Sequence, residues 1–168
     1  MEPDEWHTGG AGAPPPRILI LGVGNLLRGD DGFGVHLIGS LSDAALPPDV
    51  LLLEAGTVSH QLIPLLAEID RLIVIDAVEA GDVPGSIFLF DPDDLHFPSG
   101  PMVSLHQISL MDVLHMAELT GGKPETTIIG VQPKDVTSWC MELSEEVRAA
   151  MPKVKELIFA ELNKVRAL

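Results

Sequence analysis

The sequence has one cysteine, Cys140, which excludes a disulfide framework and any zinc site built from cysteines. Basic residues are scarce, with Lys and Arg numbering 10 against 25 Asp and Glu, for a formal net charge of −15. A surface this acidic repels a nucleic-acid backbone and an anionic bilayer, so neither is expected as a partner. Aromatic residues make up 4% and Tyr is absent, so the core must be built mainly from Leu, Ile and Val. No apolar run reaches the roughly 18 to 20 residues that span a bilayer, and the N-terminus lacks the charged-then-apolar pattern of a signal peptide. A soluble, cytoplasmic protein is expected. Also missing are a Gly-x-Ser-x-Gly elbow, a His-Glu-x-x-His helix and a Walker loop, which disfavours the common hydrolase classes.

What is present is globular. A chain of 168 residues that is 46% hydrophobic is the size of one domain and buries a core without staples. Residues 1–16 are rich in Gly and Pro without periodicity and read as a disordered tail. Residues 17–168 read as a single domain. Short apolar runs predict strands at 18–23, 50–54, 71–76, 87–90 and 126–131. Helices are predicted at 32–46, 59–68 (capped by Thr57 or Ser59, with Pro64 forcing a kink or a late start), from about Ser104 to Leu119, and from Ser144 to Arg166, where Ser144 is the expected cap. The link from 77 to 86 carries Gly81, Pro84 and Gly85 and is too short for a crossover helix, so the fourth strand should run antiparallel to the third. The fold class is α/β with a mostly parallel sheet.

The stretch Ile18-Leu-Ile-Leu-Gly22-Val-Gly24-Asn-Leu-Leu-Arg-Gly-Asp30-Asp31-Gly-Phe-Gly34 reads as strand, loop and helix. Ligands of open α/β sheets bind beyond the carboxyl ends of the strands, and this loop delivers Asp30 and Asp31 there. A dinucleotide fingerprint fits poorly. Gly22 and Gly24 match, but Leu27 stands at the third glycine and two acids lie where phosphates would sit. A nucleotide-binding α/β domain is therefore a third-ranked reading, with no nucleotide expected.

Three side chains gather at one sheet edge: Asp31 in the first loop, Asp76 at the end of the third strand and His106 at the start of a later helix. Two carboxylates and an imidazole make an open O,O,N set that a borderline divalent ion such as Zn²⁺ or Ni²⁺ tolerates. Taken singly, each has a plainer reading, as a cap, a turn former or a half-buried polar residue. His36, His60, His96 and His115 read as surface or rim residues, and Cys140 as a small buried hydrophobe.

These residues resemble the maturation endopeptidases of [NiFe] hydrogenases across residues 17–150. The opening segment looks like that family's Gly-x-Gly-Asn-x-Leu-x-x-Asp-[Asp/Glu]-Gly-x-Gly, and Gly56-Thr57, Ile75-Asp76-Ala77, Pro84-Gly85, Ser104-Leu105-His106-Gln107, Gly130-Val131-Gln132-Pro133 and Leu143-Ser144 follow in order. The resemblance implies a three-layer α/β/α fold on a five-stranded sheet. It implies a nickel-dependent peptidase, grouped with the aspartic endopeptidases, that removes a C-terminal peptide from the hydrogenase large-subunit precursor after nickel insertion. Carried over by position, the metal-contacting residues are Asp31, Asp76 and His106, with Asp31 and Asp76 also catalytic. The nickel is expected to arrive in the precursor, and the protease to work as a monomer. A non-catalytic nickel-binding chaperone on the same fold is the alternative. Two departures stand out: Asp31, one methylene shorter than the family's common Glu, and Glu54-Ala55-Gly56-Thr57 where relatives have Asp-Gly-Gly-Thr.

Overall fold

The computed structural model describes residues 17–56, 60–92 and 105–166, with the side chains of 105–109 and 165–166 outside that description. The strands are β1 (Ile18–Val23), β2 (Val50–Gly56), β3 (Arg71–Ala77), β4 (Ile87–Phe90) and β5 (Glu125–Val131), and the helices are α1 (Phe33–Leu41), α2 (Ile63–Leu66), α3 (Leu105–Leu119) and α4 (Glu145–Arg166). They build a five-stranded sheet in the order β2-β1-β3-β5-β4. All neighbours are parallel except β4, which pairs antiparallel with β5.

The central strands are apolar on both faces because both faces are covered. Ile18 and Ile20 of β1 and Ile73 and Ile75 of β3 pack under α1 and α4, against Phe33, Leu37, Leu41, Val154 and Ile158. Their alternates Leu19, Leu21, Leu72 and Val74 face α2 and α3, against Leu65, Leu66, Leu110 and Leu114. Three layers result. Each of these fully buried side chains contributes about 1.5–3 kcal/mol relative to exposure.

Several boundaries differ from expectation for local reasons. The first helix stops at Leu41 rather than running to 46, because the hydroxyls of Ser40 and Ser42 bond back to the Leu37 and Gly39 carbonyls at 2.6 and 2.7 Å. Such local bonds compete with helix propagation. The second helix is reduced to a 3-10 turn, His60–Leu62, followed by one turn of α2, and Pro64 sits in that first turn. Pro64 therefore produces the late start. The proposed caps Thr57 and Ser59 lie outside the described residues, as do the tail 1–16, His96 and Ser104. Strand β4 runs opposite to β3, as the short link requires, yet its hydrogen-bonded neighbour is β5, which inserts between them.

This topology positions the site. From the end of β1 the chain passes through α1 to β2 on one side of the sheet. From the end of β3 it moves to the other side, by way of β4 and α3 to β5. The crevice between the ends of β1 and β3 is the switch point where such folds bind ligands.

Candidate active site at the ends of β1 and β3

Glycine creates the crevice. Gly24 adopts φ +134°, and a Cβ there would lie 1.8 Å from the Asp31 carbonyl oxygen, so only glycine lets the loop fold back on itself. Gly34, at the start of α1, would place a Cβ 2.3 Å from the Ile75 oxygen and 2.4 Å from the Val23 oxygen. The helix thus rests on the last residues of β1 and β3. Between the two glycines, Asn25 forms a turn: its side-chain oxygen accepts from the Leu27 N–H at 2.9 Å and its carbonyl from the Arg28 N–H at 3.0 Å. A single 3-10 turn, Gly29–Gly32, then carries the two acids and contacts β3.

The paired acids have different surroundings. Asp30 is 1% exposed. Its Oδ2 accepts from the backbone N–H of Lys134 at 2.9 Å, that of Asp135 at 3.0 Å and the Ser144 hydroxyl at 2.9 Å, while its Oδ1 accepts from the Ser144 N–H at 2.7 Å. It ties the opening loop to the segment between β5 and α4. Asp31 is only partly buried, and its Oδ2 accepts from the Asn25 N–H at 3.1 Å, which draws it back over the end of β1.

Asp76 occupies the end of β3, level with Gly130 of β5, and is 2% exposed. By alternation it shares a face with Leu72 and Val74, the face that α3 covers. His106 is the second residue of α3, so its backbone begins the helix on that face, while its side chain lies outside the described ones. Among the described residues no group of three His, Cys, Asp or Glu is placed to hold a metal ion, a grouping from which the His106 imidazole is necessarily missing.

Beyond Cys140, the sequence assigns no role to residues 134–142, and in the structure they line a recess together with Asp30. Asp135 organises this segment, accepting from the Thr137 N–H and hydroxyl at 2.8 and 2.9 Å, from the Ser138 N–H at 3.1 Å, and from the Ser138 hydroxyl. The Ser138 hydroxyl first, then these further donors, holds the Asp135 carboxyl well below the usual carboxylate range. Beside it, Glu146 raises the Lys134 ammonium and is itself lowered through their mutual 2.6 Å hydrogen bond. Ser144 does precede α4, but its hydroxyl donates to Asp30. The signal available was Asp-x-Thr-Ser, a pattern in which an Asp side chain bonds the backbone two residues on.

Cys140 corrects the expectation of a buried hydrophobe: it is exposed. Its backbone is what the fold uses, the N–H donating to the Leu27 carbonyl at 3.2 Å and the carbonyl accepting from the Gly29 N–H at 2.7 Å. His36 is a rim residue as expected and bonds through Nε2 to the Met141 carbonyl at 2.9 Å, while His60 and His115 are exposed.

Residues 35–161 match the model of the hydrogenase maturation protease family. The chain belongs to that family. Among relatives, it is 40% identical over 149 residues to the hydrogenase expression/formation protein HupD of Rhizobium leguminosarum bv. viciae, covering 86% of this chain and 74% of that one. Among solved structures it superposes on the hydrogenase maturating endopeptidase HybD of Escherichia coli with a TM-score of 0.80 and 31% identity, over 89% of this chain and 93% of that one. The [NiFe] hydrogenase maturation protease HybD of Thermococcus kodakarensis gives 0.72 at 28% identity, over 86% and 97%. The hydrogenase maturation protease family is one of peptidases, so the site is to be understood as that of a hydrolase. No helix among the described residues is long and apolar enough to cross a membrane.

Proposed function

We propose that this protein is the endopeptidase that removes a C-terminal peptide from the precursor of a [NiFe] hydrogenase large subunit once nickel is in place. The observation that carries the reading is the placement of two acids of a family member, Asp31 and Asp76, at the adjoining ends of β1 and β3. With His106 they supply two oxygen donors and one nitrogen donor, a set suited to a borderline divalent ion and open to water and substrate. The nickel is cargo of the precursor, and Asp31, Asp76 and His106 meet it only when the precursor docks. Loading is thereby sensed before cutting. Bound there, the ion supplies Lewis acidity toward the scissile carbonyl.

Asp31 and Asp76 are also the groups that handle the proton. Water adds through its oxygen to the carbonyl carbon, its proton passes to a carboxylate, and that proton moves to the departing amide nitrogen as the C–N bond breaks. Asp31 reaches one methylene less far than a Glu, so the bound precursor must sit closer to the 3-10 turn. No nucleotide takes part: close backbone contacts account for Gly22 and Gly24, since a Cβ added at Gly22 would fall 2.4 Å from the Gly34 oxygen. We place the protein in the cytoplasm as a monomer, without nucleic-acid or membrane partners.

The test is a cleavage assay with purified protein and the large-subunit precursor of its own organism, with and without nickel, read by product mass. Loss of a C-terminal peptide from the nickel-loaded form alone is the expected result. Tight binding to loaded precursor without cleavage would replace the endopeptidase with a nickel-binding chaperone.

A further inference from the structure

The segment between β5 and α4 runs beside the opening loop as a parallel bridge, Arg28 to Cys140. On this joined strip three large apolar side chains face solvent together: Trp139 is 76% exposed, Met141 57% and Leu27 49%. Single exposed apolar residues need no explanation, but three on neighbouring backbones of one bridge form a patch. The Arg28 guanidinium lies over the Trp139 ring, 4.9 Å from its centroid, and also donates to the Thr137 carbonyl at 3.0 Å. The ring is thus held in place before any partner arrives. Asp30, the Asp135 turn and the His36 bond to Met141 fix the strip from beneath.

A cavity of about 560 Å³ adjoins this platform, and Asp135, Glu142 and Glu145 are among the residues lining it. Lys134 lines it too, paired with Glu146, so the recess is acidic on balance, and Cys140 and Glu142 of the same strip join it to the apolar surface. We infer that this platform is the docking surface for the hydrogenase large-subunit precursor, receiving an apolar segment of it flanked by Lys or Arg. The inference rests on the endopeptidase reading, which requires a folded protein partner beside Asp31. The occupant's chemistry follows from complementarity: an exposed Trp stacked by Arg is the kind of side chain that anchors interfaces, and carboxylates beside it select cations. A second copy of this chain, at −15, brings the wrong charge to the recess.

The experiment uses the full chain and nickel-loaded precursor, measuring the Kd and the KM and kcat of processing for wild type, Trp139→Ala, Met141→Ala and Glu142→Lys, with circular dichroism of each. Asp31→Asn serves as a variant expected to bind but not to cut. Trp139→Ala should raise Kd and KM about tenfold or more while kcat at saturation stays within about threefold. Glu142→Lys should also raise KM and flatten its dependence on salt. Wild-type Kd and KM in folded Trp139→Ala and Met141→Ala would remove the platform and leave the protease reading standing. Failure of wild type itself to bind and process the precursor overturns the reading and the platform together. Sedimentation of wild type as a dimer that Trp139→Ala dissociates would assign the patch to self-association and overturn the proposal.

Discussion

Carboxylates at the two ends of the sheet are handled in opposite ways. Where β3 begins, Arg71, with a side chain 11% exposed, meets Glu161 of α4 at 3.2 Å and also pairs with Glu125 at the start of β5. Lys164 bonds to the same Glu161 at 2.6 Å, and Arg17 pairs with Asp70 nearby. Where the strands end, Asp30 is held by three N–H groups and one hydroxyl. The first arrangement cancels charge, whereas the second fixes a carboxylate in place and leaves its negative charge on the site. A floor built from ion pairs holds the layers together, and a roof built from oriented N–H groups keeps the crevice acidic.

Breaking the floor should give the largest effect on stability. Glu161→Ala takes from Arg71 its buried carboxylate and leaves it the exposed Glu125, and should cost about 3 kcal/mol. Urea unfolding followed by circular dichroism measures it, and processing by the folded fraction should persist. Breaking the roof should cost less stability and more function. Asp30→Asn turns one accepting oxygen into a donor facing N–H groups, for about 2 kcal/mol, and frees the 133–144 segment so that amide exchange there accelerates selectively.

The smallest effect is a pH dependence that sharpens the contrast. Asp135 is lowered in the folded chain, so the order it gives is fully present above the carboxylate's ordinary value near 3.8. That order erodes as pH falls below this value toward the lowered one. Trp139 fluorescence in a Trp6→Phe background should stay native-like down to about pH 4 and change only below it. A transition centred near neutrality would contradict the hydrogen bonding assigned to Asp135.

The same contrast explains what was legible in the sequence. Ile18 to Leu21 and Leu72 to Ile75 read as buried strands because each is a short apolar run between breakers, and an acid just past such a run must lie at the sheet edge. Asp76 is placed at that edge in this way, and Asp31 by the loop that follows the first run. The insertion of β5 between β3 and β4 was not legible, because pairing over some forty residues leaves no local pattern. The task of Asp30 was hidden for the same reason: its partners lie 104 to 114 residues away. Cys140 misled because its type argues for burial, whereas its place is set by two backbone hydrogen bonds that any residue type makes.

The central claim is that the acids where β1 and β3 end carry out the reaction while those at the other end only hold the fold. Its most direct test is the processing rate of nickel-loaded precursor by Asp76→Asn and Glu161→Gln side by side, each with its unfolding midpoint. The account predicts that Asp76→Asn loses about 10³-fold in rate at a near wild-type midpoint, while Glu161→Gln loses stability and keeps its rate below the transition. Wild-type processing by a folded Asp76→Asn would contradict it.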